Sequence, residues 1–338
     1  MKPTNFSYHL TKYMSSFLPG TRGLSSNTIM AYRDTFALLL KFCASAKGIS
    51  AEKVTLEFLQ PATIREFLEW LEKTRNNSVQ TRNNRLASLK SFFKYLQTES
   101  PEHIYQCQQI MAMPLKKAPS GPMDYLSLDG IKAILDRPIT STKDGRRDLV
   151  LLSVLYDAAP RVQEIADLTV SDVRLQKPET IKLTGKGQKT RIVPIMEPTA
   201  KLLEQYLTEN GLKNAAKSQR PLFTNRSGNK LTRSGIAYIL GKYANAARKE
   251  SPLLIPKKIS PHCFRHSKAF HLLQSGVLLI YIRDFLGHES ISTTEIYAKV
   301  DGEMKRKELE KAYVPVHDPE MPIWQQNHDL MEWLKSLV

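Results

Sequence analysis

The segment from Pro114 to Leu126, PLKKAPSGPMDYL, most tightly limits how this chain can fold. Three prolines and a glycine in so short a run disfavour both helix and strand, so the segment reads as a linker between separately packed regions. We place the boundary near Ser120. Residues 1–115 then form one domain, 116–125 the linker, 126–313 a second domain and 314–338 a tail. The length of 338 residues agrees, because it exceeds what one hydrophobic core usually organises.

The two sides of the linker carry different patterns. Upstream, SSNTIMAYRDTFALLLKFCASA opens on Ser and Asn capping candidates and then spaces Ile29, Tyr32, Phe36, Leu39 and Leu40 along one helix face. A second helix is expected from near Gln60, with Ile64, Phe67, Leu68 and Leu71 buried. A third is expected from near Asn77, burying Leu86, Leu89, Phe93 and Leu96. Downstream, helical segments resume at LSLDGIKAIL and RRDLVLLSVLYDAA. IKL and RIVPI then flank TGKGQKT, a β-hairpin pattern in which Gly185 and Gly187 permit a tight turn. Helical patterns return in TAKLLEQYLTEN, SGIAYILGKYANAARKE, the His262 segment and Leu278 to Leu286. The expected fold class is mainly α: an all-helical domain, then a mixed, mostly α domain with a small β-hairpin.

Charge points to a polyanion. The 49 Lys and Arg against 33 Asp and Glu leave a net charge of +16. Residues 1–115 hold 14 basic and 8 acidic side chains, so both halves are basic. Acidic proteins and membranes are the other partners such a surplus suits. Thr28, Arg33, Thr81, Arg82, Arg85 and Lys90 lie on two N-terminal helices, some near helix N-termini that also favour phosphate, and are the DNA-contact candidates there. For Arg82, Arg85 and Lys90 a solvated face is the alternative. The three cysteines, Cys43, Cys107 and Cys263, are scattered, which fits a reducing compartment, with Cys43 and Cys107 packed in helix faces. No apolar run approaches a membrane span and no signal-peptide core is present at MKPTNFSYHL, so a cytoplasmic, nucleoid-associated protein is expected.

Chemistry concentrates late in the chain, where PHCFRHSKAFHLLQSGVLLIYIRDFLGHESISTTEIYAKV holds His262, Arg265, His288 and Tyr297. A phenol can attack phosphorus, a guanidinium can hold two phosphate oxygens, and imidazoles can move protons. Together these are the parts of a metal-free phosphoryl transfer. Arg161 and Glu164 in DAAPRVQEIADL, and Lys186 in the hairpin, extend the set upstream. In this order the residues resemble the tyrosine recombinase, or phage integrase, family. The family pattern is an Arg with a Glu three residues on, a hairpin Lys, a His-x-x-Arg pair, a Leu-Gly-His, and a Tyr nine residues later. Arg161 with Glu164, Lys186, HCFR at 262–265, LGH at 286–288 and Tyr297 match it element by element. The resemblance spans roughly residues 126–312, and the N-terminal helices resemble the family's core-binding, SAM-like domain.

The resemblance implies a C-shaped clamp on double-stranded DNA and a reaction through a 3'-phosphotyrosine. Tyr297 would be the nucleophile, and Arg161 and Arg265 would hold the nonbridging phosphate oxygens. Lys186 would protonate the leaving 5'-oxygen, with Lys189 as the alternative. His262 would accept or relay the tyrosine proton, His288 would donate to the scissile phosphate, and Glu164 would orient Arg161. Lys189 and Arg191 are further DNA-contact candidates. His266 and His271 read as structural or phosphate-adjacent. The four-residue spacing of His262 and His266 would also suit zinc, but Cys263 stands where the metalloprotease pattern has Glu, so no metal is expected. With no Walker loop and no carboxylate cluster, no cofactor is implied.

Where the family commonly has Thr-Gly-Leu before the first Arg, this chain has Ala158, Ala159 and Pro160. Pro160 restricts Ala159 and removes a backbone donor, so the approach of Arg161 is expected to be altered. The family assembles as four protomers exchanging C-terminal segments. Leu330, Trp333, Leu334 and Leu337 form the stripe that would dock on a neighbouring protomer or fold back on its own domain. The extended tail, with DGEMKRKELEKAY, resembles Xer-like, transposon-associated integrases more than chromosome-dimer resolvases, and accessory or partner recombinases are compatible with it. The alternatives are a DNA-binding protein of the same fold without chemistry and a type IB topoisomerase-like strand-passing enzyme.

Overall fold

Helix starts early in the chain fall where a hydroxyl can accept from orphan amides. Thr4, Ser25 and Ser78 cap α1 (Asn5–Lys12), α2 (Ser26–Lys47) and α4 (Val79–Glu99), accepting from Ser7, Thr28 and Thr81 amides. Between them lie a π-helical turn, Tyr13–Thr21, and α3 (Pro61–Lys73), which opens on its proline; α5 (Ile104–Met111) follows. The computed structural model describes residues 3–118, 125–291, 293–295, 297 and 330–337, without the side chains of Lys186, Leu330, Met331 and Trp333. It divides into two compact units, Met1–Gly121 and Pro122–Val338.

The first unit is wholly helical among its described residues, and its core is aromatic. Phe6, Tyr13 and Phe36 each meet Phe92 edge-on, at 5.9, 5.2 and 5.2 Å between ring centres. Leu86, Leu89, Phe93 and Leu96 are all buried on α4, and Phe67, Leu68 and Leu71 on α3, as the periodicity requires. Cys43 and Cys107 are buried in the same core.

The second unit runs α6 (Leu128–Leu135), α7 (Lys143–Asp157), α8 (Val162–Asp167), a three-stranded sheet, α9 (Glu197–Glu209), α10 (Arg233–Glu250), α11 (Pro261–Gln274) and α12 (Leu279–Leu286). The sheet is antiparallel in the order β1 (Val173–Arg174), β2 (Thr180–Thr184), β3 (Thr190–Pro194). β2 and β3 form the expected hairpin, closing at Thr184 opposite Thr190. β1 and α8 were absent from the sequence reading, because two and six residues are too few for a periodicity to show. The main core gathers α6, α7, the sheet, α9, α10 and Phe264 of α11. A smaller satellite core of Ala159, Ala269, Leu273, Ile282, Leu286 and Tyr297 lies beside it. A short helix, Leu330–Lys335, lies on the expected tail stripe with Leu334 and Leu337 exposed, while the side chains of Leu330 and Trp333 lie outside the described residues. Linker residues 119–124 and the stretch 298–329, with DGEMKRKELEKAY, also lie outside them.

Candidate active site

The site is organised by the end of α12. A helix leaves its last four carbonyls without intrahelical partners, and they carry the negative end of the helix dipole. Here three consecutive ones each accept from a different arginine. Phe285 O takes Arg191 Nε at 3.0 Å, Leu286 O takes Arg265 Nη2 at 2.5 Å, and Gly287 O takes Arg161 Nη2 at 2.9 Å. Gly287 ends the helix at a φ of +66°, and a Cβ there would stand 2.9 Å from Arg191 Cδ. The glycine of Leu-Gly-His is thus required both by its left-handed backbone and by the arginine packed against it.

Opposite these carbonyls, Glu164 binds two of the same guanidiniums. Its side chain is 2% exposed. It accepts from Arg161 Nη1 at 2.8 Å and from the Arg161 backbone N–H at 2.7 Å, and takes a paired contact from Arg191 Nη1 and Nη2 at 2.9 and 2.8 Å. Burial alone would raise its pKa, but the Arg191 and Arg161 contacts outweigh it and hold the carboxyl at about 2. Gly185, at the start of the hairpin turn, passes close to this pair; a Cβ there would lie 2.9 Å from Glu164 Oε1. The hairpin tip is thereby brought beside Arg161.

Arg191 requires a correction. Expected at the DNA surface, it is largely buried, and three of its N–H groups are bonded to Glu164 and Phe285. Strand alternation is the reason, since Arg191 shares the inward face of β3 with buried Val193. That signal was present in TRIVP. Arg161 and Arg265 differ from it. Among the described residues each spends two of a guanidinium's five N–H donors on protein acceptors, which leaves donors on each that meet no described acceptor. Arg265 is 3% exposed. Burial, with the charges of Arg161 and Arg191 beside it, lowers its pKa to about 10, which leaves it charged at neutral pH.

Ala159 supplies the remaining acceptor for Arg265, its carbonyl 2.7 Å from Nη1. It is buried and holds a φ of +44°, the left-handed conformation that favours glycine. The departure from Thr-Gly-Leu therefore acts mainly on Ala159 and, through its carbonyl, on the second arginine. Arg161 itself begins α8 with an ordinary extended backbone at φ −68°.

The imidazoles divide by environment. His262 is exposed on the first turn of α11, yet loss of hydration around the ring, then Arg265 and Arg161, lower its pKa. His288 bonds Thr294 Oγ1 through Nδ1 at 3.0 Å, and burial with the Arg265 and Arg161 charges lowers it to about 4. His266, which sequence reasoning left as structural or phosphate-adjacent, meets the hydroxyl of Tyr297 at 2.8 Å through Nδ1. Burial, then His262 and Arg265, bring His266 to about 4. Tyr297 is fully buried, and burial raises its phenol to about 12 against the opposing Arg265 charge. His271 bonds the Tyr156 hydroxyl at 3.0 Å. The backbone of Lys186 lies in the turn Lys186–Gln188; its side chain lies outside the described residues. Lys189 extends to Glu289 at 2.7 Å in an exposed pair.

In the first unit the candidate contacts are dispersed over α2 and α4. Thr28 and Thr81 each bond their capping serine at 3.0 Å, so the two helix starts have the same Ser-x-x-Thr geometry. Arg33 is exposed and paired with Asp34 at 2.9 Å. Arg85 donates to Ala31 O and Thr35 Oγ1, and Lys90 to Met113 O at 2.5 Å. Arg82 is buried rather than solvated, bonded to Asn83 Oδ1 with its Nε unpartnered among the described residues.

With this geometry in place, comparison with known proteins is decisive. The phage integrase family profile matches residues 124–304, and that of the phage integrase N-terminal SAM-like domain matches residues 12–100. The chain belongs to the phage integrase family. Among its relatives, a putative integrase/recombinase y4rC of Sinorhizobium fredii is 35% identical, over 86% of each chain. Tyrosine recombinase XerD of Listeria monocytogenes is 34% identical, covering 88% of this chain and 96% of its own length. A solved structure of the XerH site-specific recombinase, bound to its difH substrate before cleavage, shares 26% identity at a TM-score of 0.66, covering 86% of this chain and 80% of that one. The protein is a tyrosine-type site-specific DNA recombinase. Among the described residues, no helix is long and apolar enough to cross a membrane.

Proposed function

We propose that the chain cuts and rejoins double-stranded DNA through a covalent bond between Tyr297 and a 3'-phosphate, in the integration or transposition of a mobile element. The observation that carries this reading is the end of α12, where Arg161 and Arg265 are fixed on adjacent carbonyls with further donors on each that meet no acceptor among the described residues. A phosphate placed between them would receive charge-assisted bonds on both nonbridging oxygens, and those bonds would tighten as charge builds in the five-coordinate transition state. Glu164 and Arg191 hold Arg161 in position. When Nδ1 of His288 accepts from the Thr294 hydroxyl, Nε2 carries the proton and donates to the same phosphate.

Tyr297 Oη attacks phosphorus, the P–O5' bond breaks, and Lys186 delivers a proton to the leaving oxygen; Lys189, on the same turn, is the alternative acid. The phosphotyrosine conserves the energy of the cut bond, so rejoining needs no nucleotide. In the first unit Thr28, Arg33, Thr81, Arg85 and Lys90 contact the DNA backbone, whereas Arg82 is buried against Asn83. Exchange between two duplexes requires several protomers, and a tetramer joined through the C-terminal helix, working among cytoplasmic, nucleoid DNA with or without partner recombinases, fits this reading.

A suicide DNA substrate tests the chemistry. Wild type should accumulate a covalent adduct and Tyr297→Phe none, and an adduct persisting in the variant would refute the assignment. Cleavage mapped on element ends rather than on a chromosomal resolution site should follow if the role is mobilisation. Removal of residues 323–338 should abolish the synaptic complex while sparing binding to a single site.

A further inference from the structure

We propose that His266, and not His262, is the base that takes the proton from Tyr297, an inference that rests on the phosphotyrosine reading above. His262, Arg265 and His266 stand at i, i+3 and i+4 on α11, so all three share one face. Among the described residues one imidazole touches the phenol. Nδ1 of His266 lies 2.8 Å from Tyr297 Oη, and among the described residues the hydroxyl has no other partner. His262 lies behind His266, its ring tilted at 55° with centres 5.5 Å apart, on the exposed side. Tyr297 is fully buried, so bulk water does not reach its hydroxyl, and its proton can leave only through a group in contact with it.

Among the described residues the groups facing His266 are Tyr297, His262, Arg265 and His288; burial, then His262 and Arg265, keep it neutral with Nδ1 able to accept. Full transfer in the DNA-free state is uphill, because the phenol is held at about 12 and the imidazole at about 4. A bound phosphate changes that balance. Its charge offsets the Arg265 charge that, after burial and His262, depresses His266, while the growing O–P bond lowers the electron density on the phenol oxygen. In the step, the Oη–H bond breaks and Nδ1–H forms. The oxygen lone pair forms the bond to phosphorus, and the P–O5' pair leaves on the 5'-oxygen, which is protonated by the hairpin lysine. The imidazolium keeps the proton or loses one from Nε2 to solvent, and returns a proton to Oη on rejoining.

The test is single-turnover adduct formation by the full chain, on a suicide substrate with an ordinary 5'-oxygen and on one with sulfur at that position. His266→Asn keeps an acceptor near the Nδ1 position but cannot take a proton. It should slow cleavage on the order of 10²–10⁴-fold with DNA affinity unchanged. Sulfur leaves without a proton, so it should rescue a Lys186 variant but not His266→Asn. The rate of His266→Asn should also climb as pH rises, because the phenolate then forms without a base. Should His266→Asn fail to fold, His266→Gly should recover cleavage in proportion to added imidazole. Wild-type cleavage by His266→Asn, rescue of it by sulfur, the rising pH profile in His262→Asn instead, or no imidazole recovery would each overturn the proposal. If Tyr297→Phe still forms an adduct, the fault lies with the nucleophile and not with the base.

Discussion

The two units use their cations in opposite ways. On α2 and α4 the basic side chains that face candidate phosphates are held by few contacts: Arg33 by its sequence neighbour Asp34, Lys90 by a single carbonyl, Arg85 by a carbonyl and a hydroxyl. At the end of α12, three arginines are interlocked through three carbonyls and one buried carboxylate. Singly held cations can turn towards whichever phosphate arrives, so they suit a backbone followed over many positions. Interlocked ones cannot turn, and stabilising one transition state requires that fixity. The same charge therefore serves adaptation in one unit and preorganisation in the other.

The largest effect that would break this contrast comes from removing an interlocked arginine that keeps little capacity for DNA. Arg191→Ala leaves Glu164 buried with half of its hydrogen bonds gone. Losing one partner of a buried pair costs about 3–5 kcal/mol, and denaturant unfolding should show a loss of that order. A loss under about 1 kcal/mol, the range of exposed pairs, would mean that the network is no more rigid than the contacts on α2.

Acid should act on the same carboxylate. The Glu164 pKa is depressed from 4.5 to about 2, so its contribution is fully present above pH 4.5 and is lost as pH falls through about 2. The shift corresponds to about 3 kcal/mol. Wild type should lose stability across that window more steeply than Glu164→Gln, which has nothing to protonate there. Parallel acid curves for the two proteins would contradict it.

Arg33→Ala should be almost silent in stability and visible in DNA affinity. Removing one phosphate contact lowers the slope of log K against log salt by about 0.9, weakening binding similarly on every sequence. Arg85→Ala should show the same slope change together with a small stability loss, because its guanidinium also ties α4 to Ala31 and Thr35 of α2. Titrations at several salt concentrations would separate the two.

How much of this was legible depended on the range of each interaction. The helices of the first unit could be read because periodicity is local, and Phe67, Leu86 and Phe93 lie in the core that their spacing implies. Arg161, His262, Arg265, His288 and Tyr297 could be named because their order and spacing form a pattern. Arg191 was misplaced because its decisive partner, Phe285 O, is 94 residues away, although the alternation of TRIVP already turned it inward. The position of His266 beside Tyr297 was hidden for a related reason. The i, i+4 spacing puts two histidines on one face, but which of them meets a phenol 31 residues later depends on how the segment after α12 returns to α11. The two-residue strand β1 left no pattern at all.

The smallest expected effect concerns a residue at the arginine cluster whose backbone is left-handed. Ala159 holds a φ of +44° directly before Pro160, and its carbonyl is one of the two that fix Arg265. A left-handed conformation costs a residue with a Cβ about 1–2 kcal/mol, whereas glycine adopts it freely at an unfolded-state entropy cost of about 0.4–1 kcal/mol. The difference favours glycine slightly. Ala159→Gly should therefore raise the melting temperature by up to about 3 °C and leave DNA binding unchanged. Cleavage should hold or rise, since the Arg265 acceptor no longer depends on a strained peptide. A fall of several degrees would show instead that the methyl group's packing in the Tyr297 cluster outweighs the strain, and that the interlocked arginines draw rigidity from that side chain as well as from hydrogen bonds.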